Sequence, residues 1–402
     1  MTEGELARLQ VEGPDRFNRI QAWCSAITRQ IQDADQHADL PLFVGGFAFA
    51  EQGKRRHGPW LGWEDGMVFI PRRILFEKRD DHGRVQRGMI VHRWQNETTS
   101  DESVADGPSP AALRTVARPH ARETGIAPGE RASFEELVRR AVGAIGEEAL
   151  DKVVLARSRH FAGARGAAID SSATLSELLK HHPGSHVFGF DRGDLGSFVG
   201  ASPETMLEAR GDRLSTHALA GTTTRGTTAE HDNELAQALL ANPKERNEHA
   251  WVVRGIVQAL APFCREMTIA ETPEVMALPT LQHLSTAIAG AMNSPRGLLD
   301  AIAHVHPSPA LCGSPFEAAR DWIATHEPLD RGWYGGPIGW LAPNGSGHFA
   351  VAIRAALLRD GEASAFGGAG LVRDSQPDRE WLETQLKIDA VAKHLVSREV
   401  PQ

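Results

Sequence analysis

The sequence predicts a large protein of the α+β class, and three observations support this prediction. Short apolar runs bounded by Gly, Pro and Asp follow one another, as the strands of antiparallel hairpins do. The regular alternation of strand and helix that builds a doubly wound parallel sheet does not occur. The chain has 402 residues, of which 41% are hydrophobic, and this is enough for two or three average domains or one large one.

The N-terminal third is predicted to contain one helix and several strands. Residues 14–34 have the periodicity of an amphipathic helix, with an apolar face made of Phe17, Ile20, Trp23, Ile27 and Ile31. The segments predicted as strands are PLFVGGFAFAE, GMVFIPRRILFEK and RGMIVHRW. Residues 97–131 are polar and rich in Pro, Ser and Gly, so we expect a surface loop or linker there.

The remaining elements are short strands interrupted by helices. A helix that leads into a strand is predicted in SFEELVRRAVGAIGEEALDKVVLARSRHF, and further strands are predicted in HVFGFDRG, GSFVGASPETMLEAR and DRLSTHALAG. A helix then begins near Lys244, and a shorter one is predicted in LLDAIAHV. Before the last helix, three segments have strand signals: GWYGGPIGWLA, GHFAVAIRAALLR and ASAFGGAGLV.

The composition argues against several kinds of partner. A net charge of −9 disfavours nucleic acid or an anionic membrane as the main partner. Three scattered cysteines, Cys24, Cys264 and Cys312, predict reduced, buried thiols and no zinc site. The N-terminus MTEGELARLQ lacks the apolar core of a signal peptide, and no apolar run approaches the ~18 residues of a membrane span. We therefore expect a soluble, cytoplasmic protein, and without a phosphate-binding glycine motif nucleotide binding is unsupported.

Two pairs of glutamates suggest a cation site. In KERNEHAWVV, Glu245 and Glu248 lie on one face of a predicted helix, ahead of the apolar residues Val252, Val253, Ile256, Val257 and Leu260. In DREWLETQLK, Glu380 and Glu383 repeat this arrangement, ahead of Leu386, Val391 and Leu395. One such pair is also typical of a solvated helix start. Two pairs could converge on a hard cation such as Mg²⁺, which prefers oxygen ligands.

Nine segments resemble the chorismate-utilising enzymes, the family of anthranilate, aminodeoxychorismate, salicylate and isochorismate synthases. They follow the family order over about residues 145–390: LDKVVLARSRHF, FVGASPETML, HALAGTTTRG, KERNEHAWVV, LQHLSTAIAG, HPSPALCGSP, YGGPIGW, AVAIRAALL and GGAGLVRDSQPDREWLETQLK. GFAFAE and FIPRRIL extend the resemblance into the N-terminal third. The resemblance implies a single domain over residues 1–402, with two large antiparallel sheets packed face to face and helices outside. Its parts are an N-terminal lobe (1–96), the linker (97–131) and a catalytic core (132–397).

The resemblance also implies roles for the two acid pairs. In this family both pairs line one cleft, where Mg²⁺ bridges them to the C1 carboxylate of chorismate. By motif position, Glu248 and Glu383 would bind the metal directly, whereas Glu245 and Glu380 would hold its water ligands. The repulsion within each pair would then be cancelled by the cation.

Lys152 in DKVVLAR and Glu204 in GASPETML correspond to the catalytic residues of the water-using members of the family. A lysine buried among apolar residues can lose its proton near neutral pH, because desolvation disfavours the ammonium form, and it can then activate a water. A strand-end lysine in an ion pair is the alternative. Glu204 matches the general acid for the leaving C4 hydroxyl, which requires a pKa raised by burial. An exposed glutamate in a turn is the alternative for that position.

The substrate contacts rest on the same resemblance. Arg354, in an otherwise apolar strand, matches the residue that binds the enolpyruvyl carboxylate, with Tyr334 as its partner. Lys387 could reach a carboxylate or simply form an ion pair with Glu383 one helical turn away. His283 matches a histidine near the ring, although a lone histidine is also typical of a core position. Close backbone approach to the substrate is expected at Gly221, Thr222, Gly368 and Gly370.

Three positions distinguish between branches of the family. Lys152 stands where amine-producing members have glutamine, and Ala220 stands where aminodeoxychorismate synthases have a lysine nucleophile. Ala310, in HPSPALCGSP, stands where salicylate synthases have threonine, and the segment resembles isochorismate synthases of catechol siderophore synthesis more than those of menaquinone synthesis. The chain therefore resembles an Mg²⁺-dependent isochorismate synthase. A salicylate synthase and a non-catalytic chorismate-binding subunit are the alternatives. We expect a monomer that needs no glutaminase subunit.

Overall fold

The chain folds into helices and strands that belong to two antiparallel sheets. The computed structural model describes residues 2–31, 40–52, 56–79, 85–91, 120–125, 129–147, 149–278, 281–294 and 297–398. The helices formed by these residues are α1 (Arg16–Thr28), α2 (Glu130–Gly146), α3 (Ser171–His181), α4 (Ala229–Ala241), α5 (Pro243–Leu260), α6 (Leu298–Val305), α7 (Phe316–His326) and α8 (Pro377–Ala392). The strands are β1 (Thr2–Val11), β2 (Phe43–Phe47), β3 (Gly66–Arg79), β4 (Val85–Val91), β5 (Arg122–Glu123), β6 (Lys152–Ala162), β7 (His186–Asp191), β8 (Ser197–Ser202), β9 (Thr205–Arg210), β10 (Arg213–Thr224), β11 (Cys264–Ile269), β12 (Glu274–Ala277), β13 (Leu281–Met292), β14 (Gly313–Ser314), β15 (Pro337–Leu341), β16 (Gly347–Val351), β17 (Ala355–Arg359) and β18 (Glu362–Leu371).

The larger sheet joins the two ends of the chain. Its eleven strands have the order β1-β3-β2-β15-β16-β9-β10-β13-β11, with β4 paired to β3 and β12 paired to β13. The smaller sheet has seven strands in the order β14-β6-β18-β17-β8-β7, with β5 paired to β6. Helix α5 packs against β10 and β13, and α8 packs against β18 and β6. The predicted α+β fold with two large antiparallel sheets and helices outside is confirmed.

Aromatic side chains fill the space between the two sheets. The Trp60 ring lies 5.1 Å from Phe198 of β8 and 5.6 Å from Phe366 of β18, centroid to centroid. On its other side it meets Trp63 edge to face at 5.3 Å, and Trp63 in turn meets Trp333 at 5.2 Å. Trp60 and Trp333 are fully buried. Such ring pairs add to the burial of apolar area, so this cluster fixes the distance between the sheets.

Two short connections carry the chain from one sheet to the other. Strand β8 belongs to the smaller sheet and β9 to the larger one, and only residues 203–204 separate them. The larger-sheet strand β16 is likewise followed by β17 of the smaller sheet after residues 352–354. GHFAVAIRAALLR, predicted as one strand, is therefore two strands. The break occurs because Arg354 has a φ of 52°, which a continuous strand does not allow.

Most predicted elements are found, but the structure also differs from the prediction at other places. The helix predicted for residues 14–34 is α1, which is shorter than predicted. Helices α3, α4 and α7 were not predicted, and neither were strands β1, β11, β12, β13 and β14. Within the predicted linker, residues 122–123 form β5 and α2 begins at residue 130, whereas residues 97–119 lie outside the described ones. Cys264 is only half-buried, although Cys24 and Cys312 are buried as expected.

A helix needs ~20 mainly apolar residues to span a membrane. Among the helices built from the described residues, none is long and apolar enough to cross a bilayer.

Candidate active site

The first acid pair is positioned by the start of α5. Pro243 occupies the first turn of this helix, where a missing N–H costs nothing. The Asn242 side chain caps the helix by accepting hydrogen bonds from the N–H groups of Lys244, at 3.0 Å, and Glu245, at 3.4 Å. Glu245 also accepts a hydrogen bond of 3.0 Å from the backbone N–H of Thr222. This N–H, which we expected near the substrate, therefore holds a carboxylate of the acid pair.

The second acid pair lies in the first turns of α8, beside the first pair. Lys244 connects them, because its Nζ lies 3.4 Å from Glu380 Oε1 and 3.9 Å from Glu245 Oε1. Glu380 is 2% exposed, and burial together with the nearby charge of Glu383 raises its pKa to about 7. Burial and Glu248 also raise the pKa of Glu245. The four carboxylates thus form one cluster in which negative charges oppose each other.

The chemistry of this cluster fits a hard divalent cation. All four groups are carboxylates, and oxygen ligands are those that Mg²⁺ prefers, whereas zinc sites usually include histidine or cysteine. The raised pKa values of Glu245 and Glu380 are what a cation in their midst would reverse, since an opposite charge favours the ionised form. The residues present therefore fit the predicted Mg²⁺.

Lys152, the predicted base, is the first residue of β6 and is 1% exposed. Its Nζ lies 2.9 Å from Glu248 Oε1. Although burial opposes the ionised form, Lys152 and other lysines lower the pKa of Glu248. Burial of the lysine was expected, but a carboxylate partner from a helix 96 residues further along the chain was not. Gly370 on the neighbouring β18 leaves room for this pair, because a Cβ there would lie 2.5 Å from Glu248 Oε1.

Glu204, the predicted acid, lies in the connection between β8 and β9. Its backbone N–H bonds to Ser202 Oγ at 3.2 Å, and its carbonyl oxygen accepts a bond of 3.0 Å from the N–H of Val351. The residue is 8% exposed. Burial raises the pKa of Glu204 to about 7, against the opposing charges of Arg354, Lys387 and Lys152. The raised pKa that its proposed role requires is therefore present.

Arg354 lies in the second connection between the sheets, and its carbonyl oxygen accepts a hydrogen bond from the N–H of Ala201 in β8. The guanidinium is buried, and among the residues that the structure describes its side-chain hydrogen-bond partner is His283 and not a carboxylate. Burial lowers its pKa, against the opposing charges of Glu204 and Glu383. A buried cation without an anionic partner is costly. This side chain is therefore suited to bind an anion that enters the cavity.

His283 of β13 orients this arginine. Burial lowers the pKa of His283 to about 3, so its ring is neutral. A neutral ring that donates from Nδ1 to the Gly221 carbonyl oxygen, at 3.2 Å, can accept from Arg354 Nη2 at 3.4 Å. Gly221, with a φ of 76°, forms a bulge in β10 opposite this histidine. His283 is thus a satisfied buried residue as well as a neighbour of the site.

One cavity of about 80 Å³ brings the predicted residues together. Its lining includes every predicted site residue except Glu245 and Glu380, namely Lys152, Glu204, Ala220, Gly221, Thr222, Glu248, His283, Ala310, Tyr334, Arg354, Gly368, Gly370, Glu383 and Lys387. Tyr334 is buried and stacks on Phe366, with centroids 5.3 Å apart, and Lys387 lies 2.6 Å from Glu383 as an i,i+4 ion pair. Glu245 and Glu380 are not part of this lining.

A larger groove of about 890 Å³ lies elsewhere, beside β7 and β15. Apolar side chains make up much of its lining, which also carries His186 and His348. The smaller cavity is the better candidate for catalysis, because an acid, a base and a buried arginine converge there.

Comparison with known proteins identifies the family to which the chain belongs. The model of the chorismate binding enzyme family matches residues 1–396. The chain belongs to this family. It is 35% identical over 405 residues to the salicylate biosynthesis isochorismate synthase of Pseudomonas aeruginosa, a match that covers 98% of this chain and 82% of that protein. It is 38% identical over 262 residues to the isochorismate synthase EntC of Escherichia coli K12, covering 65% of this chain and 66% of the relative. The solved structure of MenF, the menaquinone-specific isochorismate synthase of Escherichia coli, is 26% identical with a TM-score of 0.76, covering 98% of this chain and 85% of that one.

A buried ion pair behind the cavity of this chorismate-binding enzyme was not predicted. Arg331 bonds to both carboxylate oxygens of Glu327, at 2.6 and 2.7 Å. The same guanidinium donates to the carbonyl oxygens of Val154, at 2.7 Å, and Leu311, at 2.9 Å, while Glu327 accepts from the N–H of Ala156 at 2.8 Å. The pair therefore fixes β6, which carries Lys152, to the loop that carries Ala310. An i,i+4 pair of opposite charges was visible in the sequence, but its burial was not.

Other residues that sequence reasoning missed are Lys244, which bridges the acid pairs, and the apolar lining. Lys244 directly precedes Glu245 in KERNEHAWVV, and this position was a usable signal. The apolar lining consists of Val154, Leu219, Leu311 and Ile353, with Pro203 beside Glu204. These residues carry no chemical group that a motif search could detect.

Proposed function

We propose that this chorismate-binding enzyme isomerises chorismate to isochorismate in a reaction that depends on Mg²⁺. The observation that carries the proposal is that Lys152 and Glu204 line the same cavity although they come from different parts of the chain. A base and an acid in one cavity suit a reaction in which water adds to one ring carbon while a hydroxyl leaves another. The names of the relatives from Pseudomonas aeruginosa and Escherichia coli support the same activity.

The proposed reaction exchanges one hydroxyl group for another. The amine of Lys152 accepts a proton from water as the water oxygen forms its bond to C2. The ring double bonds shift, and the C4–oxygen bond breaks as Glu204 donates its proton, so that the hydroxyl leaves as water. Lys152 acts as a base only when its amine is neutral. Its Nζ lies 2.9 Å from Glu248 Oε1, so the ammonium group of this ion pair has to lose its proton before this step.

The acid pairs would hold the metal. Glu248 and Glu383 lie at the cavity wall and would provide ligands, whereas Glu245 and Glu380 lie behind them and would hold water ligands. When bound, Mg²⁺ would supply positive charge to a carboxylate of the substrate. The Thr222 N–H and Lys244, which contact Glu245 and Glu380, would keep the outer carboxylates in place.

Arg354 would bind the second carboxylate of the substrate, the one on the enolpyruvyl group. Its planar guanidinium can form two parallel hydrogen bonds with a carboxylate, and the phenol of Tyr334 lines the same cavity. Lys387 adds a further positive charge at the wall. Ala310 lines the same cavity with only a methyl group, so nothing on that side chain can orient the enolpyruvyl group for elimination.

Product analysis tests the proposal. Purified protein, chorismate and Mg²⁺ should give an equilibrium mixture of chorismate and isochorismate, separated by chromatography. A coupled lactate dehydrogenase assay should detect no pyruvate, and added ammonium salts should not enter the product. Stoichiometric pyruvate with salicylate would assign the chain to the salicylate-forming alternative. An aminated product would contradict the role of Lys152, and no conversion would indicate a binding subunit.

The chain is further proposed to work as one domain. Support comes from the larger sheet, in which β1, β3 and β2 from the first hundred residues are joined to β15 and β16 from the last hundred by the pairing of β2 with β15. A cut between these parts would leave two long sheet edges with unpaired N–H and C=O groups.

A further inference from the structure

A second group of metal-ligand residues lies far from the acid pairs. Glu177 and His181, near the C-terminal end of α3, meet His394, which follows α8, and their ligand atoms all lie within 4.8 Å of one another. Since Glu380 is in the first turn of α8, the length of this helix places the group about 20 Å from the candidate active site. Nothing in the proposed reaction uses these three residues.

One distance within the group matches that between ligands of a bound metal. His181 Nε2 lies 3.3 Å from Glu177 Oε2. In a tetrahedral site with bonds of ~2.0–2.1 Å, neighbouring ligand atoms are about 3.3–3.4 Å apart. The other ligand atoms lie within 4.8 Å of one another, and the ring of His394 stacks on that of His181, with centroids 5.0 Å apart. Because stacked rings direct their nitrogen lone pairs nearly parallel to each other, the exposed side chain of His181 has to rotate before both nitrogens face one metal.

His394 is the observation that points to a ligand. It is 6% exposed, and its Nε2 has no hydrogen-bond partner among the residues that the structure describes. A buried polar atom without a partner is destabilising, so such atoms are rare unless they serve another purpose. His182 packs edge-on against the same ring, at 5.0 Å between centroids.

The backbone already holds His394 in place. Its N–H bonds to the carbonyl oxygen of Val391 at 3.0 Å. The next two residues are tied to the rest of the protein, since Leu395 accepts from the N–H of Ala121 at 2.9 Å and Val396 accepts from that of Asp170 at 2.7 Å. Asp170 caps α3, and Thr174 in its first half accepts a hydrogen bond of 3.1 Å from the N–H of Val396. The segment after α8 is therefore anchored to the first half of α3, and the histidine contact attaches it near the C-terminal end of that helix. A fixed ligand of this kind reduces the entropy lost on metal binding.

We propose that Glu177, His181 and His394 bind one divalent transition-metal cation of the Zn²⁺ class and thereby fasten α3 to the segment that follows α8. Two imidazole nitrogens and one carboxylate suit Zn²⁺ and its neighbours, with a water as the fourth ligand, whereas Mg²⁺ prefers oxygen ligands. The site is therefore distinct in chemistry from the acid pairs. Its role is to stabilise the C-terminal end of α8.

Calorimetric titration of the full chain with Zn²⁺, in the presence of excess Mg²⁺ to occupy the acid pairs, tests the site. Wild-type protein should bind one equivalent, and its melting temperature should rise by about 3 °C when free Zn²⁺ reaches 100 times Kd. Co²⁺ should give the visible absorption bands of a four-coordinate site. His181→Ala and Glu177→Gln, which change partly exposed side chains, should weaken Zn²⁺ binding at least about tenfold and abolish the melting shift.

Two further variants serve as controls. His217→Ala removes an exposed histidine of β10 outside the group, and Glu383→Gln alters the acid pairs, so neither change should affect Zn²⁺ binding. Binding that is lost in Glu383→Gln and kept in His181→Ala would place Zn²⁺ at the acid pairs and overturn the proposal. Equal binding by His181→Ala and wild type, or no binding to wild type, would also overturn it.

Discussion

Replacement of Gly370 by alanine tests whether the contact between Lys152 and Glu248 belongs to the catalytic geometry. A Cβ at this position would lie 2.5 Å from Glu248 Oε1, 3.0 Å from Lys152 Cε and 3.3 Å from Lys152 Nζ. Ordinary contact begins at 3.4 Å, so the carboxylate oxygen has to move by about 0.9 Å and the lysine by a few tenths of an ångström. Because a misplacement of ~1 Å can reduce a rate ~10²-fold, we expect kcat/KM of Gly370→Ala to fall about 10²-fold.

The variant should remain folded. The backbone of Gly370 is not in the left-handed region, and the atoms that must move are the ends of side chains. Gly143→Ala, in α2, is a matched control because a Cβ there meets nothing within 4 Å. Isochorismate formation by steady-state kinetics and thermal melting of both variants provide the two measurements. A folded Gly370→Ala protein with wild-type kcat/KM would refute the catalytic importance of the Lys152–Glu248 geometry.

Four further predictions follow from the site and its support. Lys152→Ala should lower kcat by about 10²–10⁴-fold while calorimetry still detects chorismate binding, since a base acts in the transition state. Because burial raises the pKa of Glu204 to about 7, kcat/KM should fall as pH rises through about 7, and activity that persists well above this pH would exclude Glu204 as the acid. The same raised pKa links Glu204 to the stability of the fold. Its neutral carboxyl contributes to the free energy of unfolding in full below pH 4.5, the ordinary pKa, and this contribution is lost as pH rises through about 7. Denaturation of wild type and Glu204→Gln should measure the difference. Glu383→Gln should raise the Mg²⁺ concentration for half-maximal activity, and EDTA should abolish activity of the wild type. Arg331→Ala should lower the free energy of unfolding by about 3–5 kcal/mol, because it leaves a buried carboxylate unpaired, whereas the exposed Arg320→Ala should cost less than about 1 kcal/mol in denaturant titrations.

The acid pairs could be found from the sequence because their signal is local. Glu245 and Glu248 open a helix that is recognisable from its apolar spacing, and Glu380 and Glu383 repeat the pattern. That the N-terminal ends of the two helices meet depends on the packing of α5 and α8 against different strands. Periodicity contains no information about this long-range arrangement, so only the family resemblance could supply it.

The predicted apolar face of α8 is correct at its C-terminal end and wrong near the site. Val391 and Leu395 are buried as predicted, but Leu386 is 41% exposed. The buried face near the site contains Glu380, Thr384 and Ile388, spaced four residues apart, and Thr384 Oγ1 accepts a hydrogen bond of 2.8 Å from Arg157 Nε. Because polar residues occupy the inward positions near the cavity, hydrophobicity alone misplaces Leu386. Such local disagreements are expected where function requires buried polar groups.

The two connections between the sheets explain why the acid and the arginine meet. Residues in these connections belong to neither sheet, so their side chains can point into the space between the two sheets. Glu204 lies in one connection and Arg354 in the other, and hydrogen bonds from Ala201 N–H to the Arg354 carbonyl and from Val351 N–H to the Glu204 carbonyl hold the strands next to them together. The φ of 52° at Arg354 is unfavourable for a residue with a side chain, by about 1–3 kcal/mol. The strained residue is also the one whose buried guanidinium lines the cavity. A substrate carboxylate bound to Arg354 would compensate for both the backbone strain and the burial of the charge.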